Sequence, residues 1–174
     1  MAKASRSIEA ETREITKENQ SDNIVVQHLQ KRVANALVLY ANYKHYHWAT
    51  FGPLFRDLHL MFDEFAVAVL ATADELAERV RMIGQDVAAV QLRDMQEMAT
   101  VHSAGTSGAT MREMIEEADA NVQVMIKSIR QAAADAEQQH DPGSVDLFSK
   151  IVQIHEKHEW FLREILKKRD GLMG

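Results

Sequence analysis

Apolar residues recur along this chain with the period of about 3.6 residues of an α-helix in four long segments, and no run alternates with the two-residue period of a strand. We expect the first helix to extend from about Asp22 to Ala49. Its apolar stripe consists of Leu29, Val33, Leu37 and Tyr40, and His47 continues that stripe. The second helix is expected from Pro53 to about Ile83, because proline favours the first position of a helix and the next glycine is Gly84.

The C-terminal half predicts two more helices, one from about Thr110 to Gln139 and one that begins after Ser144 as its N-cap and ends near Lys167. Between the second and third helices lies a long connection, residues 84–109, in which residues 91–100 could form a short helix. A crossover of this length allows the helices that it joins to lie parallel on opposite sides of a bundle. The pattern therefore predicts an all-α fold, a ferritin-like four-helix bundle with one long crossover that carries a short extra helix.

The remaining composition is that of one ordinary globular domain. The chain has 174 residues, of which 46% are hydrophobic and 26% charged. Residues 1–21 are polar and nearly neutral, and we interpret them as a flexible tail before a bundle domain at 22–174. The alternative for this tail, a DNA-contacting arm, is disfavoured because its acidic side chains cancel its basic ones.

Charge and cysteine content narrow the classes of function. The formal net charge of −6 argues against a nucleic-acid binder that works through its whole surface. The absence of cysteine excludes disulfides, thiolate metal sites and cysteine nucleophiles, and it fits a cytoplasmic protein. No apolar run approaches the roughly 18 residues that a membrane span needs, and the N-terminus does not resemble a signal peptide.

Five side chains in residues 47–78 are of the types that bind iron, zinc or manganese: His47, His59, Asp63, Asp74 and Glu78. At about 100° per residue, the four on the second helix share one stripe. However, the gap from Asp63 to Asp74 is about 16 Å at the rise of an α-helix, whereas ligands lie about 2.0–2.2 Å from a metal ion. One helix therefore cannot bring both half-sites to one ion.

A two-fold axis near residues 68–69 would remove this difficulty. An antiparallel copy of the second helix would place Asp74 and Glu78 opposite the other chain's His59 and Asp63, and a two-fold interface repeats each contact. We therefore expect two equivalent metal sites per dimer, each assembled from both chains.

These motifs resemble the signature of the Dps family, the miniferritins. The matching segments are Tyr46-His47-Trp48, Gly52-Pro53-Leu54-Phe55, Leu58-His59, Phe62-Asp63 and residues 74–79, and the four later ligands follow His47 by 12, 16, 27 and 31 residues. The resemblance implies a cytoplasmic or nucleoid-associated hollow homododecamer built from two-fold dimers. It also implies a ferroxidase that oxidises two Fe(II) ions per shared site, with hydrogen peroxide as oxidant, and stores Fe(III) mineral. The alternatives are a site that prefers zinc and a DNA-condensing protein whose metal site is secondary.

Three further positions carry expectations. Trp48, beside the first ligand, is expected to pack against and shield the site, with sacrificial electron donation as the alternative. The resemblance implies an acidic iron-uptake pore near the start of the last helix, with Asp146 and Asp141 as candidates, although Lys150 stands where some members have another acid. The alternative for Asp146 is a first-turn acid that stabilises the helix N-terminus.

His155 and His158 lie three residues apart on the last helix, which is not the spacing of the His-Glu-x-x-His zinc motif. Both lie on or next to the apolar stripe of that helix. We therefore interpret them as hydrogen-bonded core residues and not as metal ligands.

Overall fold

Five α-helices and no strand occur in residues 23–88, 91–105 and 109–167, which are the residues that this computed structural model describes. The helices are α1 (Ile24–Ala49), α2 (Phe55–Met82), α3 (Leu92–Met98), α4 (Met111–Gln138) and α5 (Pro142–Leu166). The predicted tail at residues 1–21 lies outside the described residues, as do Lys168 and Arg169. No helix within the described ranges is both long and apolar enough to span a bilayer.

The four long helices form a bundle in which α1 packs mainly against α2, and α4 mainly against α5. Contacts of α1 with α4 and of α2 with α5 complete the other two sides. Paired side chains show that α1 runs antiparallel to both neighbours: His47–His59 and Tyr43–Phe65 with α2, and Tyr46–Glu117 and His28–Asp135 with α4. The helices α2 and α4 are therefore parallel and lie at opposite corners, which confirms the predicted bundle with one long crossover.

The buried face of α1 is broader than the predicted stripe. Leu29 and Val33 lie in the core, but Leu37 and Tyr40 are only partly buried and line a groove between α1 and α2. The core instead continues through three residues on another side of the helix, Leu39, Tyr43 and Tyr46. The stripe divides because α1 touches both α2 and α4, so that two faces are covered where the 3.6-residue period suggested one.

Buried asparagines hold the last part of the crossover against the bundle. Asn35 accepts a hydrogen bond from the backbone N–H of Thr100 at 2.7 Å, and Asn42 donates to the carbonyl of His102 at 2.7 Å. Asn121 accepts from the N–H of His102 at 2.8 Å and donates to its carbonyl at 3.0 Å. Side-chain amides thus satisfy backbone groups that no helix or strand pairs.

The last helix begins earlier than the sequence predicted. Asp141, and not Ser144, is the N-cap, because its carboxylate accepts from the Ser144 N–H at 3.0 Å and Pro142 occupies the first turn. The same carboxylate accepts a hydrogen bond from the Arg79 guanidinium at 2.6 Å. A Cβ at Gly143 would lie 2.8 Å from Nη2 of Arg79, so a larger residue at this position would displace the guanidinium.

Candidate metal centre

The turn between α1 and α2 places two histidines side by side. Gly52 has a φ of +86°, a conformation that side-chain-bearing residues rarely adopt, and it reverses the chain just after the end of α1. The rings of His47 on α1 and His59 on α2 consequently stack with centroids 3.7 Å apart and an angle of 20°. Phe55 stacks on the His59 ring at 5.0 Å, which extends the stack to three rings.

Reciprocal hydrogen bonds fix the orientation of this histidine pair. Nδ1 of His47 lies 2.7 Å from the carbonyl oxygen of His59, and Nδ1 of His59 lies 2.8 Å from the carbonyl oxygen of His47. A carbonyl oxygen only accepts, so each Nδ1 carries the hydrogen and each neutral ring keeps a lone pair on Nε2. Histidine ligands of metal ions are oriented in this way by a second partner. The two hydrogen bonds therefore fix the orientation of both imidazole rings and leave Nε2 of each as a possible acceptor.

Asp63 lies one helical turn after His59 and is held by a lysine. The ammonium of Lys44 donates to Oδ1 of Asp63 at 2.6 Å, and this hydrogen bond lowers the pKa of Asp63. The Lys44 ammonium also lies 5.8 Å from the centre of the Trp48 ring, within the range of a cation–π contact.

Asp74 and Glu78 are exposed farther along α2 and do not join the other three predicted ligands in the same chain. In the described part of one chain, no three His, Asp or Glu side chains come close enough to hold one metal ion. Asp63 and Asp74 both line the groove between α1 and α2, which has a volume of about 730 Å³. One chain therefore presents a stacked histidine pair, an Asp63 one helical turn away that is paired with Lys44, and two exposed carboxylates farther along α2.

The groove between α1 and α2 is largely apolar, and this was not anticipated from the sequence. Val67 and Leu70 lie along it with exposed fractions of 66% and 43%. Small side chains complete its α2 wall: Ala66, Ala71, Ala73 and Ala77. The signal was available, because Val67 and Leu70 are apolar residues three apart that lie outside the core arc of α2.

Trp48 and the pore candidates differ in their surroundings. Trp48 is 72% exposed, so the shielding predicted for it does not occur within one chain. Asp146 is exposed, and it is not a first-turn acid, because α5 begins at Pro142. Lys150 pairs with Glu75 on α2 at 2.8 Å.

Asp141 is the more constrained pore candidate. Burial by itself raises its pKa, but hydrogen bonds from Ser144 and the charge of Arg79 outweigh burial and lower it. Both carboxylate oxygens already accept hydrogen bonds, Oδ1 from Arg79 and Oδ2 from the Ser144 hydroxyl. The carboxylate of Asp141 therefore links Arg79 of α2 to Ser144 of α5.

His155 and His158 lie in the core as predicted, but the prediction that they are hydrogen-bonded is wrong. Their exposed fractions are 0% and 4%. Both ring nitrogens of His155 and Nδ1 of His158 have no hydrogen-bond partner among the described residues. Burial lowers the pKa of His155 to about 4 and that of His158 to about 3. Aromatic packing surrounds them instead, since the His158 ring stacks on Phe65 at 3.9 Å.

Comparisons with known proteins agree with this architecture. The profile of the ferritin-like domain matches residues 26–171. The DNA protection during starvation protein of Brevibacillus brevis is 31% identical over 139 residues, which are 80% of this chain and 92% of that protein. DNA protection during starvation protein 2 of Bacillus anthracis is 30% identical over 83% of this chain and 97% of that protein. The solved structure of Dps from Thermosynechococcus elongatus has 47% identity and a TM-score of 0.81, and covers 86% of this chain and 94% of its own.

The fold and the profile match together define a ferritin-like four-helix protein. Within this class, two relatives of 30% identity or more that are covered over at least nine-tenths of their length are DNA protection during starvation proteins. The chain belongs to the Dps family.

Proposed function

We propose that this Dps protein is a ferroxidase that binds two Fe(II) ions at a site shared by two chains, oxidises them and stores the Fe(III) mineral inside a hollow dodecamer. The observation that carries this proposal is the reciprocal pair of hydrogen bonds between His47 and His59, since these bonds leave both Nε2 atoms as metal donors. Imidazoles favour first-row transition ions, and carboxylates bind both Fe(II) and Fe(III).

The second chain is needed because one chain does not complete the donor set. His47, His59 and Asp63 would come from one chain, and Asp74 and Glu78 from its partner. The apolar groove with Val67 and Leu70 supports this arrangement, since exposed apolar surface beside candidate ligands is typical of an interface.

Oxidation by peroxide balances when both ions react together. Each Fe(II) gives up one electron, the O–O bond of hydrogen peroxide breaks, and two protons are taken up to form two waters. No hydroxyl radical is released in this two-electron step. Protection from oxidation is then the function, and storage of Fe(III) follows from it.

Among the pore candidates, exposed Asp146 is better placed to guide arriving Fe(II), because the carboxylate of Asp141 already bonds to Arg79 and caps α5.

The ligand assignment is tested by oxidation kinetics. Fe(II) is added without oxygen, peroxide follows, and the absorbance of Fe(III) is recorded for the wild type and for His59→Ala and Glu78→Ala. We expect both variants to lose about tenfold to a hundredfold or more in initial rate, as the loss of even outer groups of metal sites does. Glu64→Ala is the matched control, because Glu64 is an exposed acid of α2 off the ligand stripe. Wild-type rates of Fe(II) oxidation in both variants would contradict the ligand assignment.

Sharing between chains is tested by mixing. Neither variant alone can build an intact site, but a mixed pair of His59→Ala and Glu78→Ala chains has one site with all its ligands. We therefore expect dissociated and reassembled mixtures to regain part of the wild-type rate. A mixture that stays as inactive as its components would exclude a site made from two chains.

The DNA-condensing alternative and the zinc alternative are tested separately. A gel-shift assay across salt concentrations would reveal phosphate contacts through a steep loss of binding with salt, and we expect no such binding given the net charge of −6. A zinc-preferring site would bind Zn²⁺ through the same histidines but oxidise Fe(II) slowly. Competition of Zn²⁺ with Fe(II) during the kinetic assay distinguishes the two metals.

A further inference from the structure

One charged side chain lies at the candidate metal centre that none of the proposed steps uses. Lys44 precedes His47 by three residues, so that it lies one helical turn before that ligand on α1. Its ammonium donates to Oδ1 of Asp63 at 2.6 Å. The Lys44 side chain is only 22% exposed and that of Asp63 is 44% exposed, so the pair is partly withdrawn from solvent.

The position of Lys44 sets it in competition with a metal ion. A metal ion that binds Oδ1 of Asp63 needs the lone pairs to which the ammonium now donates, and a metal ion at either oxygen repels the adjacent ammonium charge. The two histidines have no such competitor, because their Nδ1 atoms bond to backbone carbonyls and leave Nε2 available. In the proposed dimer, the partner subunit's Asp74 and Glu78 would add negative charge near Asp63, and a nearby cation offsets this repulsion.

We propose that Lys44 is a built-in counter-cation, which holds Asp63 in the iron-free protein and must be displaced before Asp63 can bind the second metal ion of the site. This inference rests on the proposed function. The first ion binds at the imidazoles without displacing a charge, whereas the second ion replaces the lysine. Lys44 is thus a positioning residue that makes the loading of the site stepwise.

The displaced ammonium has a second partner within reach. It already lies 5.8 Å from the centre of the Trp48 ring, and Trp48 is 72% exposed. A cation that leaves a carboxylate keeps favourable electrostatic contact if it moves over an aromatic face. Metal binding at Asp63 should therefore change the surroundings of Trp48 through Lys44.

Calorimetric titration with Zn²⁺ tests the competition, because Zn²⁺ takes the same donor types and has no redox reaction to complicate the measurement. The assembled protein is titrated as the wild type, Lys44→Met and Lys44→Arg. We expect Lys44→Met to tighten the weaker of the two binding steps by roughly twofold to fivefold, the range of a partly exposed ion pair. Lys44→Arg keeps the charge and should retain the wild-type constants. Lys44→Gln provides a second neutral variant if the methionine variant folds poorly.

The matched control is Lys150→Met, which removes the ion pair with Glu75 and leaves Asp63 untouched. It should bind Zn²⁺ as the wild type does. If the neutral Lys44 variants keep wild-type constants while His59→Ala abolishes binding, the inference about Lys44 is overturned and the proposed function stands. If the wild type shows no binding that depends on His59, the proposed function fails and the inference fails with it.

Tryptophan fluorescence provides a readout that a merely structural lysine would not alter. The chain has two tryptophans, so Trp160→Phe leaves the emission of Trp48 alone. In that background, Zn²⁺ should change the Trp48 emission at the second binding step, and Lys44→Met should reduce the change by about half or more, as expected when a cation–π partner is removed. An identical change with and without Lys44 would contradict the displacement.

Discussion

Two histidine pairs in this protein show how the surroundings of a ring determine what it can do. The rings of His47 and His59 stack at 3.7 Å at the partly exposed junction of α1 and α2, and each Nδ1 bonds to a carbonyl. The rings of His155 and His158 lie 5.9 Å apart and nearly perpendicular in the bundle core. Three of their four ring nitrogens have no partner among the described residues.

The difference separates a pair that is prepared for a ligand from a pair that is kept neutral. A metal ion brings positive charge, and the carboxylate of Asp63 lies close enough to the first pair to interact electrostatically with both rings. The second pair has lost its water without gaining hydrogen bonds, and burial lowers the pKa of both rings. Spacing in the sequence separates the two pairs, and hydrogen-bond partners and burial give the physical reason for the difference.

The core pair should make the protein sensitive to acid, and this is the largest effect that we expect. In the folded state the pKa values are about 4 for His155 and about 3 for His158, below the unfolded value of 6.5. The unfolded chain therefore binds more protons, and stability falls as the pH drops from 6.5 toward 4. The loss is on the order of 3 kcal/mol per histidine. Urea unfolding at pH 7 and pH 4 measures it.

The double variant His155→Leu with His158→Phe should lose much less stability between the two pH values than the wild type. Leu162→Ala is the control, because it removes buried apolar volume without removing a titrating group, and its cost should be similar at both pH values. A double variant with the same acid dependence as the wild type would show that other groups cause it.

Removing one histidine from each pair tests whether only the first pair matters for the rate of Fe(II) oxidation. His47→Ala removes one prepared donor, and we expect the rate of Fe(II) oxidation by peroxide to fall by about a hundredfold. His158→Phe removes a core histidine and keeps the stack on Phe65, so the rate should stay within about threefold of the wild type. Stopped-flow absorbance on samples matched for helix content measures both. Equal losses in the two variants would mean that the pairs are not functionally distinct.

The candidate ligands were accessible from the sequence because helical geometry is local. His59 with Asp63, and Asp74 with Glu78, are each four residues apart, and residues four apart share a face whatever the tertiary structure. The sequence also contains the N-cap of α5, which is Asp141 and not the predicted Ser144. An aspartate directly before a proline is a good N-cap, and Asp141 precedes Pro142.

The remaining features depend on how the helices fit together. The bonds between His47 and His59 require the register of α1 against α2, which the turn at Gly52 sets and which no single-helix pattern contains. The contact of Lys44 with Asp63 has the same origin. The buried position of His155 could be read from its stripe, but whether its nitrogens find partners depends on every side chain around them.

Two buried tyrosines extend the comparison to smaller effects. The hydroxyl of Tyr46 donates to Glu117 at 2.6 Å, whereas the hydroxyl of Tyr43 has no partner among the described residues. Tyr46→Phe should cost about 2 kcal/mol, because a hydrogen bond to a charged group is lost, while Tyr43→Phe should change stability by about 1 kcal/mol or less. Urea midpoints at pH 7 measure both. A larger cost for Tyr43→Phe would indicate a further hydrogen-bond partner, such as an ordered water, beside His158, which Tyr43 contacts.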